Sequence, residues 1–278
     1  MSLTKGWRAS ILRAALLALL VSGSAIARAP RSTPAPTHPP GAAVASPHAL
    51  ATEAGLQVLR AGGNAFDAAV AVSSTLSVVE PISSGLGGGG FFLLHDARTG
   101  KDVFLDARET SPESATPKVY LDSNGALDTN RSENGPWSAG IPGLPAALVE
   151  LARKHGKLPL KTTLATAIRI ARDGFPVYAR LEKGYGERRA VMERYPGTRA
   201  VYLADGDPPK VGETFKQPDL AHTLELLAEK GSDGFYRGEV AAKLLASVRD
   251  EGGNGRQPNS PATRCANASR CLSNITSG

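Results

Sequence analysis

From Pro47 onward, apolar residues recur at helical spacing. Leu50, Ala54, Val58 and Leu59 share one face and the run closes on Gly62-Gly63, which predicts a helix ending at a glycine pair. Asn64 is placed to cap a second helix, Ala-rich within and stopped by Pro81. Two such helices joined by glycines can pack closely. The period then changes: after Gly87 to Gly90, the apolar runs Phe91 to Leu94 and Val103 to Leu105 flank the turn-like Asp96 to Lys101, predicting a β-hairpin. The second strand runs into Asp106, Ala107, Arg108 and Glu109, then into a loop beginning at Thr110. Amphipathic patterns return in AALVELARKHGKLP, closed by Gly156, and LKTTLATAIRIARDGFPV, which ends its helix on Gly174. Residues 175 to 216 read as short polar and aromatic pieces separated by turns such as Asp205 to Pro209. A last helical pair covers 217 to 231 and 238 to 253, and no apolar periodicity follows Asn254.

The first 46 residues follow another logic. Lys5, Arg8 and Arg13 precede the apolar run AALLALLVSGSAIA, which closes on Ala25-Ile26-Ala27; residues 1–27 therefore read as a secretory signal peptide. Residues 28–46 are Pro-rich and read as a solvated linker. No later segment is long and apolar enough to span a bilayer, so no membrane contact is expected beyond the signal. The net charge of +6 comes from the two ends: residues 1–27 and 255–278 carry six of the 32 basic residues and no acidic one. The span between them is neutral, which argues against a nucleic-acid partner. Cys265 and Cys271 could close a small disulfide loop, and Asn267 and Asn274 each begin a glycosylation sequon.

Several chemistries fail on spacing. A phosphate cradle needs its glycines between a strand and a helix, whereas here they follow a helix and lead into a strand. The absent Cβ atoms suit a close approach of backbone to another segment or to a ligand. His48, His95, His155 and His222 have no metal-ligand spacing, and His38 lies in the linker. No nucleophile elbow is present, and Thr162-Thr163 sits within a helical pattern. Arg108 remains. Its planar fork could pair bidentately with a substrate carboxylate, or it could form a structural salt bridge to Asp106 or Glu109.

Glu80-Pro81, then Ser84 to Phe91, then Leu105 to Glu109 with Pro112, then Pro142-Gly143, in that order and separation, resemble the large-subunit region of γ-glutamyltranspeptidases. The opening ASPHALATEAGLQVLRAGGNAFDAAVAV is similar to the family's N-terminal segment, and the likeness covers residues 46 to 254 almost continuously. The resemblance implies an α/β (α+β) fold: the αββα sandwich of an N-terminal-nucleophile hydrolase, exported as a precursor that cleaves itself once. It implies no cofactor and no metal. The new N-terminal threonine of the small subunit attacks the γ-glutamyl amide of glutathione and passes the acyl group to water, an amino acid or a peptide. By the same resemblance Arg108 matches the arginine that holds the α-carboxylate of the γ-glutamyl group. The glycine run becomes a close-packed bend of the central sheet beside the substrate cleft.

The resemblance breaks after Asn254. The catalytic threonine is expected downstream of this point, and no threonine here has the family's setting, so the chain as written is expected to be inactive. The tail 255–278 departs from the family's continuation. Back-translated and read one base out of frame, it permits a Leu-Ala-x-Tyr and Arg-Glu-Pro stretch like the family's. A single-base deletion near the codons for Asn254 and Gly255 would account for this. The expected organisation is thus a signal peptide at 1–27, a linker at 28–46, the large-subunit region at 47–254 and an aberrant tail at 255–278. The sandwich would be incomplete without small-subunit strands, and poor solubility of the chain alone is expected. Two rival readings are a related acylase acting on glutaryl or cephalosporin-type side chains, and a secreted non-catalytic protein that binds γ-glutamyl compounds through Arg108.

Overall fold

Helix α1 (Ala49–Arg60) starts where the Nδ1 of His48 accepts the Leu50 N–H (3.2 Å) and ends at Gly62, whose φ of +91° only glycine adopts without strain. Helix α2 (Ala65–Val79) begins with a reciprocal cap. The Asn64 side chain accepts from Phe66 and Asp67 N–H, and the Asp67 carboxylate accepts from Asn64 N–H. The two helices pack as their alanines suggest: Ala51 and Ala54 are fully buried, and a Cβ on Gly55 would lie 2.8 Å from Val72 Cγ2. Helix α2 is buried along most of its circumference, from Ala68 through Val79, and forms the central rod.

In this computed structural model the described residues are 41–112, 115–253 and the backbone of 274–275. Apart from Gly41 they belong to one unit, residues 42–278. The segments read from sequence as a signal peptide, most of a linker and an aberrant tail, with both cysteines, lie outside the described residues, save the backbone of Asn274 and Ile275.

Strands β1 (Gly90–Asp96) and β2 (Lys101–Ala107) form the expected hairpin, with Gly90 opposite Ala107 and Asp96 opposite Lys101. Its inner face, Phe92, Leu94, Val103, Leu105 and Ala107, joins the core. Its outer face is apolar as well: Phe91 stacks on Phe104, and Phe91 and Leu93 are 56% and 79% exposed. After a short helix α3 (Thr129–Glu133), helices α4 (Leu144–Lys154) and α5 (Leu160–Asp173) cover the core. Gly174 ends α5, and β3 (Phe175–Pro176) leads on.

The span 175–216 departs from the expectation of short pieces and turns. It contains α6 (Ala179–Met192) and α7 (Pro196–Tyr202) before β4 (Thr214–Phe215), which pairs with β3. Helix α6 buries only Leu181, Tyr185 and Met192 and carries two glycines, so its apolar stripe is too thin to read from spacing. Aromatic packing holds it instead, with Tyr185 against Tyr202 and Phe215. Helices α8 (Pro218–Lys230), α9 (Asp233–Tyr236) and α10 (Gly238–Asp250) follow, with α8 against α5. The backbone of β5 (Asn274–Ile275) pairs with β2.

One buried acid ties two parts of the chain together. The fully buried Asp67 carboxylate accepts from Asn64, Lys157 and Leu158 N–H, fixing the α4–α5 connection to the start of α2. Replacing it with alanine strips these donors of their acceptor, each worth about 1–3 kcal/mol when buried and unmade. Asp67→Ala is expected to lower unfolding free energy by about 3 kcal/mol, read as a lower urea midpoint with an unchanged slope.

Candidate functional site

Three backbone segments cross where β2 ends. The first is the glycine turn, in which Gly88 N–H donates to Gly85 O (3.0 Å) while Leu86 is anchored in the core. The second is Ala107-Arg108-Glu109. The third is Gly140 to Leu144, whose Gly143 and Leu144 N–H groups both donate to Gly88 O, at 3.0 and 3.1 Å.

The segments touch because glycines stand at the crossings. A Cβ on Gly89 would collide with Ala107 O and lie 2.9 Å from Glu109 N. One on Gly143 would collide with Ala107 O and lie 2.9 Å from Arg108 O. One on Gly140 would lie 2.7 Å from Glu109 Cβ. Gly88 and Gly89 therefore pack against backbone, and the run itself leads into a strand, while the first N–H groups of α4 are already taken up by Gly88 O.

Two further contacts fix the third segment. Thr110 and Ile141 exchange backbone hydrogen bonds (2.8 and 3.2 Å). Tyr236 donates to Pro142 O (2.7 Å) and accepts from Ala146 N–H (3.2 Å). Burial pushes the Tyr236 phenol above its usual range, so it stays neutral and serves both bonds.

On this crossing stands Arg108. Its N–H donates to Asp106 Oδ1 (2.9 Å), its Nε lies 3.3 Å from Glu109 Oε2, and its side chain is 69% exposed. Of the two acids considered from the sequence, Glu109 takes the guanidinium and Asp106 takes the main chain. The Glu109 carboxylate is itself set by the glycines, since Cβ atoms on Gly88 and Gly89 would lie 3.3 and 2.9 Å from its two oxygens. An ion pair this exposed is worth at most about 1 kcal/mol. The arrangement presents a planar donor group outward from a rigid base, suited to a carboxylate.

Sequence reasoning missed the bracing by Gly140 and Tyr236, because a hydroxyl reaching across some ninety positions leaves no periodic trace. Arg108 does not line the cleft bounded by Asn134, Arg188, Met192 and Ser247. Among the described residues, no three His, Cys, Asp or Glu gather as a metal-ligand set, and no helix is long and apolar enough to cross a membrane.

Comparison with known proteins bears on the family and the fold. The family profile described as gamma-glutamyltranspeptidase matches residues 51–257. The chain is 40% identical over 212 residues to a glutathione hydrolase proenzyme of Bacillus subtilis subsp. natto, covering 76% of this chain and 36% of that protein. It is 36% identical over 260 residues to the Escherichia coli K12 glutathione hydrolase proenzyme, covering 88% and 44%. It thus spans less than half the length of these curated relatives. Among solved structures, Helicobacter pylori gamma-glutamyltranspeptidase superposes with a TM-score of 0.75 at 36% identity, over 80% of this chain and 63% of that one. A Bacillus halodurans cephalosporin acylase gives 0.68 at 33% identity, over 81% and 43%. The fold is therefore α/β, of the N-terminal-nucleophile hydrolase type. With the glycine crossing, the hairpin and the profile match all on the same span, the chain belongs to the gamma-glutamyltranspeptidase family.

Proposed function

We propose that this chain is the large-subunit part of an exported γ-glutamyltranspeptidase precursor that hydrolyses glutathione or transfers its γ-glutamyl group to amino acids or peptides. The observation that carries the reading is Arg108, exposed and braced at the crossing of three backbone segments. Arg108 would hold the α-carboxylate of the γ-glutamyl group with paired N–H donors. The N-terminal threonine of the remainder would attack the γ-carbonyl. Its hydroxyl proton passes through its own amine to the departing amide nitrogen, leaving an acyl ester that water or an acceptor amine cleaves. Residues 1–27 would direct export and be removed, 28–46 would remain a linker, 47–254 would form the subunit, and 255–278 would be a frameshifted tail.

The outer hairpin face supports a missing partner. Phe91, Leu93 and Phe104 form an apolar patch on a sheet, the kind of face that a second layer covers. We assign that layer to the small subunit from the same precursor. Co-expression with it is expected to raise the soluble yield of residues 47–254 several-fold, and Leu93→Lys to abolish that gain. A Leu93→Lys chain that still gains would remove the patch from the interface.

The acylase reading has the Bacillus halodurans structural match in its favour. Arg108 favours a donor bearing an α-carboxylate instead. The deciding experiment restores the reading frame at the Asn254 codon and assays the completed precursor. Glutamate release from glutathione exceeding glutaryl-amide hydrolysis upholds the proposal; the reverse preference, or no self-cleavage, rejects it.

A further inference from the structure

Glu80 has no part in the chemistry above, yet it is a carboxylate buried to 3% exposure at the point where α2 hands over to the glycine turn. Its Oε2 accepts no hydrogen bond among the described residues. The compensating charge is Arg180, at the start of α6, with Nη1 at 3.6 Å. A buried carboxylate without a counter-charge is strongly unfavourable, so the two residues are bound to each other's position.

Arg180 also reaches past Glu80. Its Nη2 lies 3.3 Å from Ser83 Oγ. The same short stretch is gripped at three further points: Gln217 donates to Val78 O (2.8 Å), Tyr178 donates to Val79 O (3.1 Å), and Ile82 Cδ1 fills the place where a Gly184 side chain would begin, 2.6 Å from an ideal Cβ. The Glu80 carbonyl accepts Ser83 and Ser84 N–H, at 2.9 and 2.8 Å, closing a tight turn directly before Gly85. Side chains and backbone of the 178–184 and 217 region thus meet this stretch at Val78, Val79, Glu80, Ile82 and Ser83.

We infer that Arg180, acting through Glu80 and Ser83, is a positioning residue for the glycine turn and through it for Arg108. The mechanical path is continuous: Arg180 holds Glu80 and Ser83, the turn they fix runs into Gly88 and Gly89, and these abut Ala107 and Glu109 on either side of Arg108. A salt bridge at this depth contributes little net stability, and what it supplies is a fixed geometry. The link to substrate rests on the carboxylate-binding reading of Arg108.

Two measurements test it. In hydrogen exchange on the completed precursor, Arg180→Met is expected to speed exchange of peptides within 81–94 about 10-fold while α4 and α5 stay protected. In the completed precursor the same change is expected to raise KM for the γ-glutamyl donor about 10-fold with kcat within about twofold, and Arg180→Lys to restore most of it. Should Arg180→Met fail to fold, Ser83→Ala, on the surface, reads the same clamp with an expected effect of about threefold. Unchanged exchange over 81–94, or equal acceleration everywhere, overturns the inference. So does unchanged KM in a precursor where Arg108→Lys raises it. If Arg108→Lys leaves KM unchanged as well, the carboxylate reading fails, and the exchange result alone decides the clamp.

Discussion

Arg108→Lys in the completed precursor is expected to raise KM for a γ-glutamyl donor about 100-fold, and Arg108→Gln about 1000-fold. A guanidinium makes two parallel N–H···O bonds to a carboxylate, whereas lysine offers a point charge on a flexible stem, so charge alone does not rescue the fork. Truncating one member of a hydrogen-bonded charge pair costs about 2–5 kcal/mol, which sets the scale of the glutamine effect. The competing role is the ion pair to Glu109. With Arg108 69% exposed, that pair is worth at most about 1 kcal/mol, or roughly fivefold. The magnitudes therefore separate the readings. A donor lacking the α-carboxylate provides the control: wild type and both variants should handle it alike, because its missing group is the one Arg108 would hold. Equal losses on both donors would assign Arg108 to structure alone.

The sequence made some of this legible and hid the rest for physical reasons. Helices α1, α2, α4, α5, α8 and α10 carry apolar residues at helical spacing with caps or glycine stops, and the hairpin shows two apolar runs about a turn. Helices α6 and α7 do not. In α6 only Leu181, Tyr185 and Met192 are buried, too few for a period to stand out among its charged residues. The glycine run was recognisable as a close approach. The partners it approaches were not, because Ala107 O and Glu109 N are backbone atoms that any sequence would supply. Arg108 stood out by elimination and resemblance, while its bracing by Gly140, Gly143 and Tyr236 emerges only when distant segments meet. The Arg180 clamp is hidden in the same way: a buried glutamate and an arginine a hundred residues apart look like two ordinary surface charges in sequence.

The glycines offer the sharpest structural contrast. Gly143→Ala is expected to abolish accumulation of folded protein, whereas Gly87→Ala, in the turn that Gly143 packs against, is expected to leave the melting midpoint within about 2 °C. Around Gly87 an added Cβ meets nothing within 4 Å, and its φ is not in the left-handed region. Around Gly143 it would collide with Ala107 O and lie 2.7 Å from Ala107 C and 2.9 Å from Arg108 O. These are backbone atoms, so no rotamer change relieves the overlap. Neither side can retreat: Ala107 is paired with Gly90 across the hairpin, and Gly143 is bound to Gly88 O at 3.0 Å. Overpacking a core commonly costs about 1–3 kcal/mol because side chains shift to accommodate it, and a clash of backbone on backbone exceeds that range. A domain with only about 5–15 kcal/mol of stability, carrying an uncovered apolar sheet face, has little margin to absorb it. Soluble yield and the thermal midpoint of both variants in the completed precursor check the contrast. Equal tolerance at the two positions would mean that the three segments do not meet as closely as described, and Arg108 would then lack the rigid base on which the proposed carboxylate grip depends.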